Sequence, residues 1–504
     1  RRDPRARQIL LISHHLPILQ VIVPLLAAPL CLLLYDRFLS WCISLFASGI
    51  AFLIAALLLH QTLHTGVISY ELGGWAAPWG IEYRVDIVNA FELLIVTAIS
   101  STIIVFAKES VAQEIYAERI PLFYAVYMLF LCGLLGVTVT GDVFNLFVFM
   151  EISALSSYTL IAISEDRRAL TASYQYLFLG TIGASFILIS IGLLYSMTGT
   201  LNMQDLARRL PAVSGNRTVE SAFAFLTVGI SIKLALVPLH LWLPNAYTYA
   251  PSVVSAFIAS TATKVAFYVL LRFMFSVLGV TLSFQSMLLS GIFLALGIAA
   301  IFVGSTAAIF QDNIKRMLAY SSIAQIGYMV LGVSFATVTG LTAALLHLFN
   351  HALIKAALFL ALGCIFYRFG SASMNQIYGI GRRMPWTMTA FVIGGLSLIG
   401  LPLTVGFISK WYLVLAAMEA GMWLVAAAIL AASLLTVVYI WRVVEAAWFK
   451  VPVQSPTANT GEVPLSMLLP TWALIIANLY FGIDTSLTVG VATQAAEWLL
   501  GITG

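Results

Sequence analysis

Residues 226–267 read LTVGISIKLALVPLHLWLPNAYTYAPSVVSAFIASTATKVAF, an apolar stretch that contains two lysines and several prolines. The lysines are Lys233 and Lys264, and the prolines are Pro238, Pro244 and Pro251. A helix interrupted inside a membrane frees backbone groups, so it normally faces protein or a water-filled cavity. A lysine inside a membrane costs about 2.5–3.5 kcal/mol on the insertion scale. The combination predicts an ion pathway through a protein with many membrane helices.

The composition is that of a membrane protein. Of the 504 residues, 61% are hydrophobic and 9% are charged, whereas soluble domains have about 25% charged residues. The apolar runs are long enough to span a bilayer and lack the alternation of a β-barrel. We therefore expect an all-α polytopic membrane protein with about 14 transmembrane helices. The predicted spans are 16–34, 38–60, 85–107, 120–140, 142–163, 169–197, 220–243, 252–277, 283–306, 313–335, 339–367, 386–416, 421–447 and 464–482.

Two connecting segments and the C-terminal tail also have a predicted structure. Segment 61–84 contains glycines and a proline between short β-prone runs, which indicates a surface hairpin. Segment 198–219 contains NMQDLARRL, a short amphipathic helix. The tail 484–504 is expected to form a short interfacial helix anchored by Trp498.

The distribution of Lys and Arg bears on orientation. Fourteen spans put both termini on one side, and most loop Lys and Arg then fall on the other side. The positive-inside rule therefore predicts that both termini lie outside. The four N-terminal arginines argue for the reverse: Arg1, Arg2, Arg5 and Arg7.

Glu151 lies in the middle of a predicted span, in DVFNLFVFMEISALSSYTLIAI. A carboxyl group there must be protonated or paired, and Lys233 is its natural partner. Such a pair changes the protonation of the lysine when the carboxylate moves or changes charge, which is what a proton relay needs. The alternative is a static ion pair that only fixes helix packing. Lys264 has no acid in its own segment, so Thr261, Thr263 or water is expected to solvate it.

Three ionisable residues recur in LLHLFNHALIKAALFL. Because His347, His351 and Lys355 are four residues apart, they lie on one helical face, about 6 Å apart along the axis. Histidine changes charge near neutral pH and can pass protons through water. The alternatives are core histidines, or a metal site that lacks further ligands nearby. We favour the relay.

Three further residues are weaker or more ambiguous candidates. Lys410 follows Gly400, Pro402 and Gly406, so it is either the last proton exchanger on a second broken helix or a lysine that snorkels to the interface. His240 lies in the first break, where it either links Lys233 to Lys264 or only makes a hydrogen bond to the backbone groups that the break leaves free. Glu92, near the start of its span, is expected to face a neighbouring subunit or the interface.

The sequence gives no sign of cofactor, metal or nucleotide chemistry. The four cysteines, Cys31, Cys42, Cys132 and Cys364, are scattered within or at the ends of apolar segments without a CxxC pair. No phosphate-binding loop, dinucleotide fingerprint or hydrolase motif occurs. Because basic residues in membrane proteins mostly report topology, the net charge of +4 does not indicate a nucleic-acid partner.

Several motifs, in order along nearly the whole chain, resemble one family. They are FNLFVFMEISALSSY, KLALVPLHLWLPNAYTYAPSVVSAFIASTATKVAFY, DNIKRMLAYSSIAQIGYMVLG, HLFNHALIKAALFLALG and GLPLTVGFISKWYL. This pattern is similar to the proton-translocating antiporter-like subunits shared by respiratory complex I, membrane-bound hydrogenases and Mrp-type multisubunit cation/proton antiporters.

The resemblance implies two inverted five-helix repeats, each with a broken helix, in a bacterial inner membrane. The corresponding division is 1–119 for the first helices and hairpin, 120–280 and 281–450 for the repeats, and 451–504 for the last helix and tail. It also implies a proton pathway through the residues named above: Glu151, Lys233, Lys264, His347, His351, Lys355 and Lys410. Lys410 resembles the D-subunit branch of the Mrp antiporters.

Three functions remain open on the sequence. The favoured one is a proton-conducting subunit of a Na⁺ or K⁺/proton antiporter that works with other membrane subunits and with lipid around it. The second is a proton pump coupled to redox chemistry elsewhere in a respiratory complex. The third is a structural membrane scaffold whose channel is inactive.

Overall fold

A computed structural model describes residues 14–451 and 461–502, which are almost entirely helical. The first ten helices are α1 (Leu16–Leu34), α2 (Arg37–Thr65), α3 (Ile87–Glu114), α4 (Ile120–Val139), α5 (Val143–Ala162), α6 (Arg168–Thr198), α7 (Met203–Arg209), α8 (Arg217–Leu234), α9 (Leu243–Tyr249) and α10 (Ser252–Leu271). The remaining helices are α11 (Leu289–Ile309), α12 (Ile314–Ser334), α13 (Val338–Phe369), α14 (Pro385–Ile399), α15 (Val405–Glu419), α16 (Trp423–Trp448), α17 (Leu465–Ile483) and α18 (Ser486–Leu499). The N-terminal arginines that bear on orientation lie outside the described residues.

The number of membrane passages agrees with the prediction. In the described part of the chain, 12 helices are long and apolar enough to cross a membrane. Two further passages are interrupted, one formed by α8 and α9 and the other by α14 and α15. Together they make the 14 passages expected of the predicted all-α polytopic fold. We call the end of the bundle where α1 starts and α17 ends the terminal end.

The first interruption follows Lys233. Ala235 adopts a left-handed conformation with φ of 59° and ends α8. Pro238 then has no N–H to continue a helix. The indole Nε1 of Trp242 donates a hydrogen bond of 2.9 Å to the carbonyl oxygen of Ile232, which fixes the unwound segment against the end of α8.

The second interruption is built differently. Gly400 ends α14 with φ of 95°, and Pro402 follows it. A Cβ at Gly406 would lie only 1.8 Å from the carbonyl oxygen of Ser397, so the two half-helices approach at a position that only glycine allows. Both breaks contain a proline, but this one also requires glycine at two positions, whereas the first is fixed by a tryptophan hydrogen bond.

One short contact occurs twice and indicates the internal repeat. Asp142 caps α5 and forms a β-bridge with Asn202, which follows α6. Asn313 caps α12 and forms the same kind of bridge with Ser373, which follows α13. Counting passages from α1, the first bridge lies at the terminal end and the second at the opposite end. This is the relation that two inverted repeats require, while the division at 119, 280 and 450 remains a prediction.

The predicted surface elements are present at the terminal end. Strands β1 (Ile68–Glu71) and β2 (Glu82–Val85) form the antiparallel hairpin. The motif NMQDLARRL forms α7, which Asn202 caps. The predicted tail helix is α18, and the ring of its Trp498 lies 5.2 Å from the Arg272 guanidinium, while its role as an interfacial anchor remains a prediction.

The centre of the bundle consists of α10, α12 and α13, which are the most deeply buried of the long helices. They carry Lys264, Gln325 and the His347–Lys355 face. Polar side chains on these helices are therefore shielded from lipid, and they must be satisfied by one another, by the backbone or by water.

Candidate functional site

The structure brings Glu151 and Lys233 together, as the sequence predicted. The Lys233 ammonium donates a hydrogen bond of 2.9 Å to a Glu151 carboxylate oxygen. The lysine side chain is 7% exposed and the glutamate 26%, so the pair is sheltered on one side only. Lys233 is also the next-to-last residue of α8, where the unpaired carbonyls of a helix end favour a cation.

A small cavity connects this pair with the centre of the bundle. Its volume is about 40 Å³, and Lys233, Ser157 and Tyr176 line it on one side while Ala262 and Ala266 of α10 line it on the other. A cavity needs about 10–15 Å³ and polar partners to hold one water. The space between Lys233 and α10 can therefore hold water, which would connect the first pair with the helix that carries Lys264.

Lys264 is completely buried, and its contacts are partly those expected. Its ammonium donates to the carbonyl oxygen of Ala259 at 2.5 Å and lies 3.4 Å from the Thr263 hydroxyl. Thr261, the other proposed partner, donates its hydroxyl to the Phe257 carbonyl instead. No carboxylate within the described ranges accepts a hydrogen bond from Lys264, so its charge depends on dipoles and on charges further away.

The prediction for Glu92 is wrong. Instead of facing a neighbouring subunit or the interface, its side chain is buried, with 2% of the residue exposed. The reason is that α3 packs inside the bundle against α10, α13 and α17 rather than at its edge. Glu92 lies within electrostatic range of Lys264, and its Oε1 has no hydrogen-bond partner among the described residues.

The three ionisable residues of α13 lie on one buried face, as their spacing predicted. The rings of His347 and His351 are nearly parallel, with centroids 6.1 Å apart. In the part of the chain that the structure covers, neither ring nitrogen of His351 has a hydrogen-bond partner. Lys355 donates to the Leu318 carbonyl at 2.8 Å and to the Ser321 hydroxyl.

His347 links α13 to two other helices. Its Nδ1 is 2.9 Å from the Ser409 hydroxyl, and its Nε2 is 3.0 Å from the side-chain oxygen of Gln325. Ser409 directly precedes Lys410 in α15. The face thus runs from Lys355, nearest the opposite end, through the two histidines to the second broken helix.

Lys410 is buried at the second interruption and does not snorkel to the interface. Its ammonium donates to the carbonyls of Leu398 and Ile399, at 2.9 and 2.8 Å, which are the last two residues of α14. Helix ends leave such carbonyls without intrahelical partners. The ring of Tyr328 also lies under the ammonium, at 5.1 Å. Lys410 is therefore held by backbone and an aromatic face.

His240 lies in the first break, where the sequence suggested a link between Lys233 and Lys264. It is buried in the first break, and its Nδ1 has no partner among residues 14–451 and 461–502. The hydrogen bonds of the described residues join it to neither Lys233 nor Lys264. A link through water remains a prediction.

Sequence reasoning missed Gln325, Ser321, Tyr328 and Ser409, which are all buried contacts of the ionisable residues. The signal was available in AYSSIAQIGYM, where an amide and hydroxyls interrupt an apolar helix. The described residues contain no group of three His, Cys, Asp or Glu side chains placed to bind a metal ion.

Fold and site together define a class of protein: a membrane subunit in which two interrupted helices each present a buried lysine, joined by a central ionisable helix. Residues 140–436 match the family described as NADH:quinone oxidoreductase/Mrp antiporter, TM. The chain belongs to this family.

Two curated relatives show the two branches to which it is similar. It is 40% identical to the N subunit of NADH-quinone oxidoreductase from Desulforudis audaxviator, over 97% of this chain and 100% of the relative. It is 29% identical to the D subunit of the Na(+)/H(+) antiporter from Alkalihalophilus pseudofirmus, over 97% of each. Relatives from both branches thus align with nearly the whole chain.

Two solved structures match with a TM-score of 0.88 each. One is a chain of the Mrp complex from Dietzia sp. DQ12-45-1b, at 25% identity over 98% of both chains. The other belongs to the membrane-bound sulfane sulfur reductase, an archaeal respiratory membrane complex, at 30% identity over 97% of this chain and 98% of that one. The fold is that of subunits in multisubunit membrane complexes.

Proposed function

We propose that this protein is the proton-translocating subunit of a multisubunit Na⁺ or K⁺/proton antiporter, corresponding to the D subunit of the Mrp type. The observation that supports this most is the buried series of ionisable side chains between the two broken helices. The series comprises Glu151, Lys233, Lys264, His347, His351, Lys355 and Lys410.

The first part of the pathway is a gate. While Glu151 holds the Lys233 ammonium, the lysine keeps its proton, because a nearby carboxylate favours the charged form. If the pair opens, Lys233 faces the 40 Å³ cavity and α10 without its counter-charge. Its charge then acts on Lys264 through a low dielectric, so the two lysines disfavour each other's charged form.

The second part carries the proton to Lys410. The charge of Lys264 reaches His347, His351 and Lys355, and the charge of Lys410 reaches His347. A proton that leaves Lys264 passes along this face, and the Ser409 hydroxyl and Gln325 amide orient His347 toward α15. Lys410 then accepts it beside the carbonyls that end α14.

The proposed partners are other membrane subunits of the same complex, with lipid around the remainder. Large apolar side chains remain exposed on the periphery, such as Leu33, Phe46 and Trp423. Lipid or neighbouring helices would cover them. We place the protein in the bacterial inner membrane with both termini outside.

The second candidate function is proton pumping driven by redox chemistry elsewhere in a complex I-like or hydrogenase-like assembly. The observation that favours it is the 40% identity to a relative named as the N subunit of NADH-quinone oxidoreductase. The pathway residues would be the same, and only the source of energy would differ. An inactive scaffold instead predicts that apolar replacements of the buried charges are tolerated or stabilising.

The test is cation-dependent proton movement in everted membrane vesicles from cells that lack their own antiporters and express the complete operon. Vesicles with wild-type protein should lose an imposed pH gradient when Na⁺ or K⁺ is added, and Lys264→Ala vesicles should not. If neither cation moves protons in the wild type, the antiporter assignment is wrong. Flavin or iron–sulfur proteins in the purified complex would then identify the redox-driven assembly.

A further inference from the structure

A ladder of polar side chains lies between α3 and α10, and most of its members have no part in the pathway above. The two helices pack against each other and run antiparallel, and their register places three pairs of polar residues at successive turns. From the terminal end inward, the pairs are Asp86 with Arg272, Asn89 with Tyr268, and Glu92 with Lys264. We call these three pairs the polar ladder.

The outermost pair is a buried, bidentate ion pair. Arg272 donates to the two Asp86 carboxylate oxygens at 2.8 and 3.0 Å, and the side chains are 6% and 1% exposed. Arg272 also donates from Nε to the Tyr268 hydroxyl at 3.1 Å. A guanidinium does not lose its proton in proteins, so Arg272 stays a cation and cannot itself pass a proton on.

The middle pair is joined through one backbone carbonyl. The Asn89 amide donates to the carbonyl oxygen of Thr138 at 3.1 Å, and the Tyr268 hydroxyl donates to the same oxygen at 3.0 Å. Tyr268 therefore lies between the outer ion pair and the turn of α10 that carries Lys264.

The inner pair contains the one ladder acid that is not held by hydrogen bonds. Asp86 is fixed by Arg272 and by backbone N–H groups, whereas Oε1 of Glu92 has no partner in the described ranges. A buried carboxylate without hydrogen bonds is costly. The charged Lys264 ammonium offsets this cost while Glu92 is a carboxylate. If Lys264 is neutral, Glu92 is expected to be neutral as well.

The outer pair forms part of the wall of a cavity that opens at the terminal end. This vestibule has a volume of about 430 Å³, and its lining includes Arg84, Asp86, Gln204, Ala207, Arg272 and Trp498. It is polar on the side of the ladder. Water can therefore reach the first pair from the terminal end.

We propose that the vestibule and the polar ladder form a proton route between the terminal end and Lys264, with Glu92 as the proton-carrying residue beside that lysine. The inference rests on the proposed function. In the transfer step, an N–H bond of the Lys264 ammonium breaks and an O–H bond forms on the Glu92 carboxylate, directly or through one water. The products are a neutral amine and a neutral acid, so the net charge of the interior does not change.

The first test compares Glu92→Gln with Glu92→Asp in the complete complex, in the vesicle assay above. Glutamine keeps the size and polarity but carries no exchangeable acid proton, so exchange should fall about a hundredfold, within the range that proton-transfer groups contribute. Aspartate should retain a larger share of the rate. Blue-native gels should show that both variants assemble as well as the wild type. If Glu92 only served packing, the variants would assemble less well.

The second test blocks the vestibule. Ala207→Cys, modified with a bulky, charged, membrane-impermeant methanethiosulfonate on both faces, should slow exchange several-fold. Ala212→Cys is the matched control, because Ala212 is exposed at the same end and does not line the vestibule. Modification there should leave the rate unchanged.

The outcomes separate this inference from the proposed function. Suppose that the wild type exchanges and that Lys264→Ala is inactive. A full rate for Glu92→Gln, or for modified Ala207→Cys, would then overturn the proposed route but leave the proposed function standing. The same holds if Glu92→Asp is no better than Glu92→Gln. Absence of cation-driven exchange in the wild type would overturn both.

Discussion

The two broken helices hold their lysines in opposite ways. Lys233 pairs with a carboxylate that another helix supplies, and it lies before its break. Lys410 lies after its break and is held by carbonyls of the preceding half-helix. The partner of Lys233 belongs to a separate element and can change distance or charge. The partners of Lys410 are fixed in the backbone. The first site therefore suits a gate, and the second suits an acceptor whose affinity for a proton stays constant.

The repeated bridges show that part of this difference lies in side chains at equivalent positions of the two repeats. Asp142 and Asn313 begin equivalent helices, α5 and α12. Nine residues later, the first helix carries Glu151 and the second carries Ser322. The second repeat thus lacks the carboxylate that makes the first one a charged pair.

The largest effect is expected from breaking the charged pair. Glu151→Gln should reduce cation-driven proton movement about a hundredfold, because it leaves Lys233 without its counter-charge. Adding Lys233→Ala should reduce the rate little further, since the two residues act as a unit. Vesicle pH-gradient measurements on the two single variants and the double variant check this. Independent, multiplying losses would contradict a shared gate.

The glycine-dependent break provides the next test. Gly406→Ala places a Cβ against the Ser397 carbonyl, and such overpacking costs about 1–3 kcal/mol. The melting temperature of the detergent-solubilised complex should fall. Gly291→Ala is the control, because a Cβ there meets nothing within 4 Å. Equal melting of the two variants would show that the half-helices do not need this close approach.

A smaller effect is expected at the junction between the central helix and Lys410. Gln325→Leu removes the partner of His347 Nε2, and a buried polar group left unpaired costs about 1–3 kcal/mol. Exchange should fall about 5- to 30-fold, which corresponds to one to two kcal/mol of that cost, with assembly intact. Gating by Lys233 should be unaffected, so adding Glu151→Gln should lower the exchange rate further. An unchanged rate would remove Gln325 from the pathway.

The smallest effect concerns the aromatic face under Lys410. Tyr328→Phe keeps the ring at 5.1 Å and should leave exchange nearly unchanged. Tyr328→Leu removes a cation–π contact worth about 0.5–2 kcal/mol and should lower the rate about 2- to 30-fold. The ratio of the two variants measures this contribution, and identical rates would assign the support of Lys410 to the carbonyls alone.

The sequence predicted most features that local pattern determines. The passages, the two interruptions, the hairpin and the Glu151–Lys233 pair follow from apolar run length, prolines and the cost of buried charge. Which helices lie at the centre is a tertiary property, so Glu92 was placed at the periphery although α3 is internal. Gln325 and Ser409 were missed because single amides and hydroxyls are common in membrane helices, and only packing brings them to His347.

The central claim is that the Glu151–Lys233 pair gates the movement of protons from Lys264 along the buried face of α13 to Lys410. The most direct measurement compares Lys233→Ala, Lys410→Ala and Lys450→Ala in the same vesicles, at matched amounts of assembled complex. Lys450 is the control, since its ion pair with Glu445 is partly exposed at the opposite end of the bundle. We expect no cation-driven proton movement in the first two variants and the full rate in the third. Full exchange in either Lys233→Ala or Lys410→Ala would contradict the account.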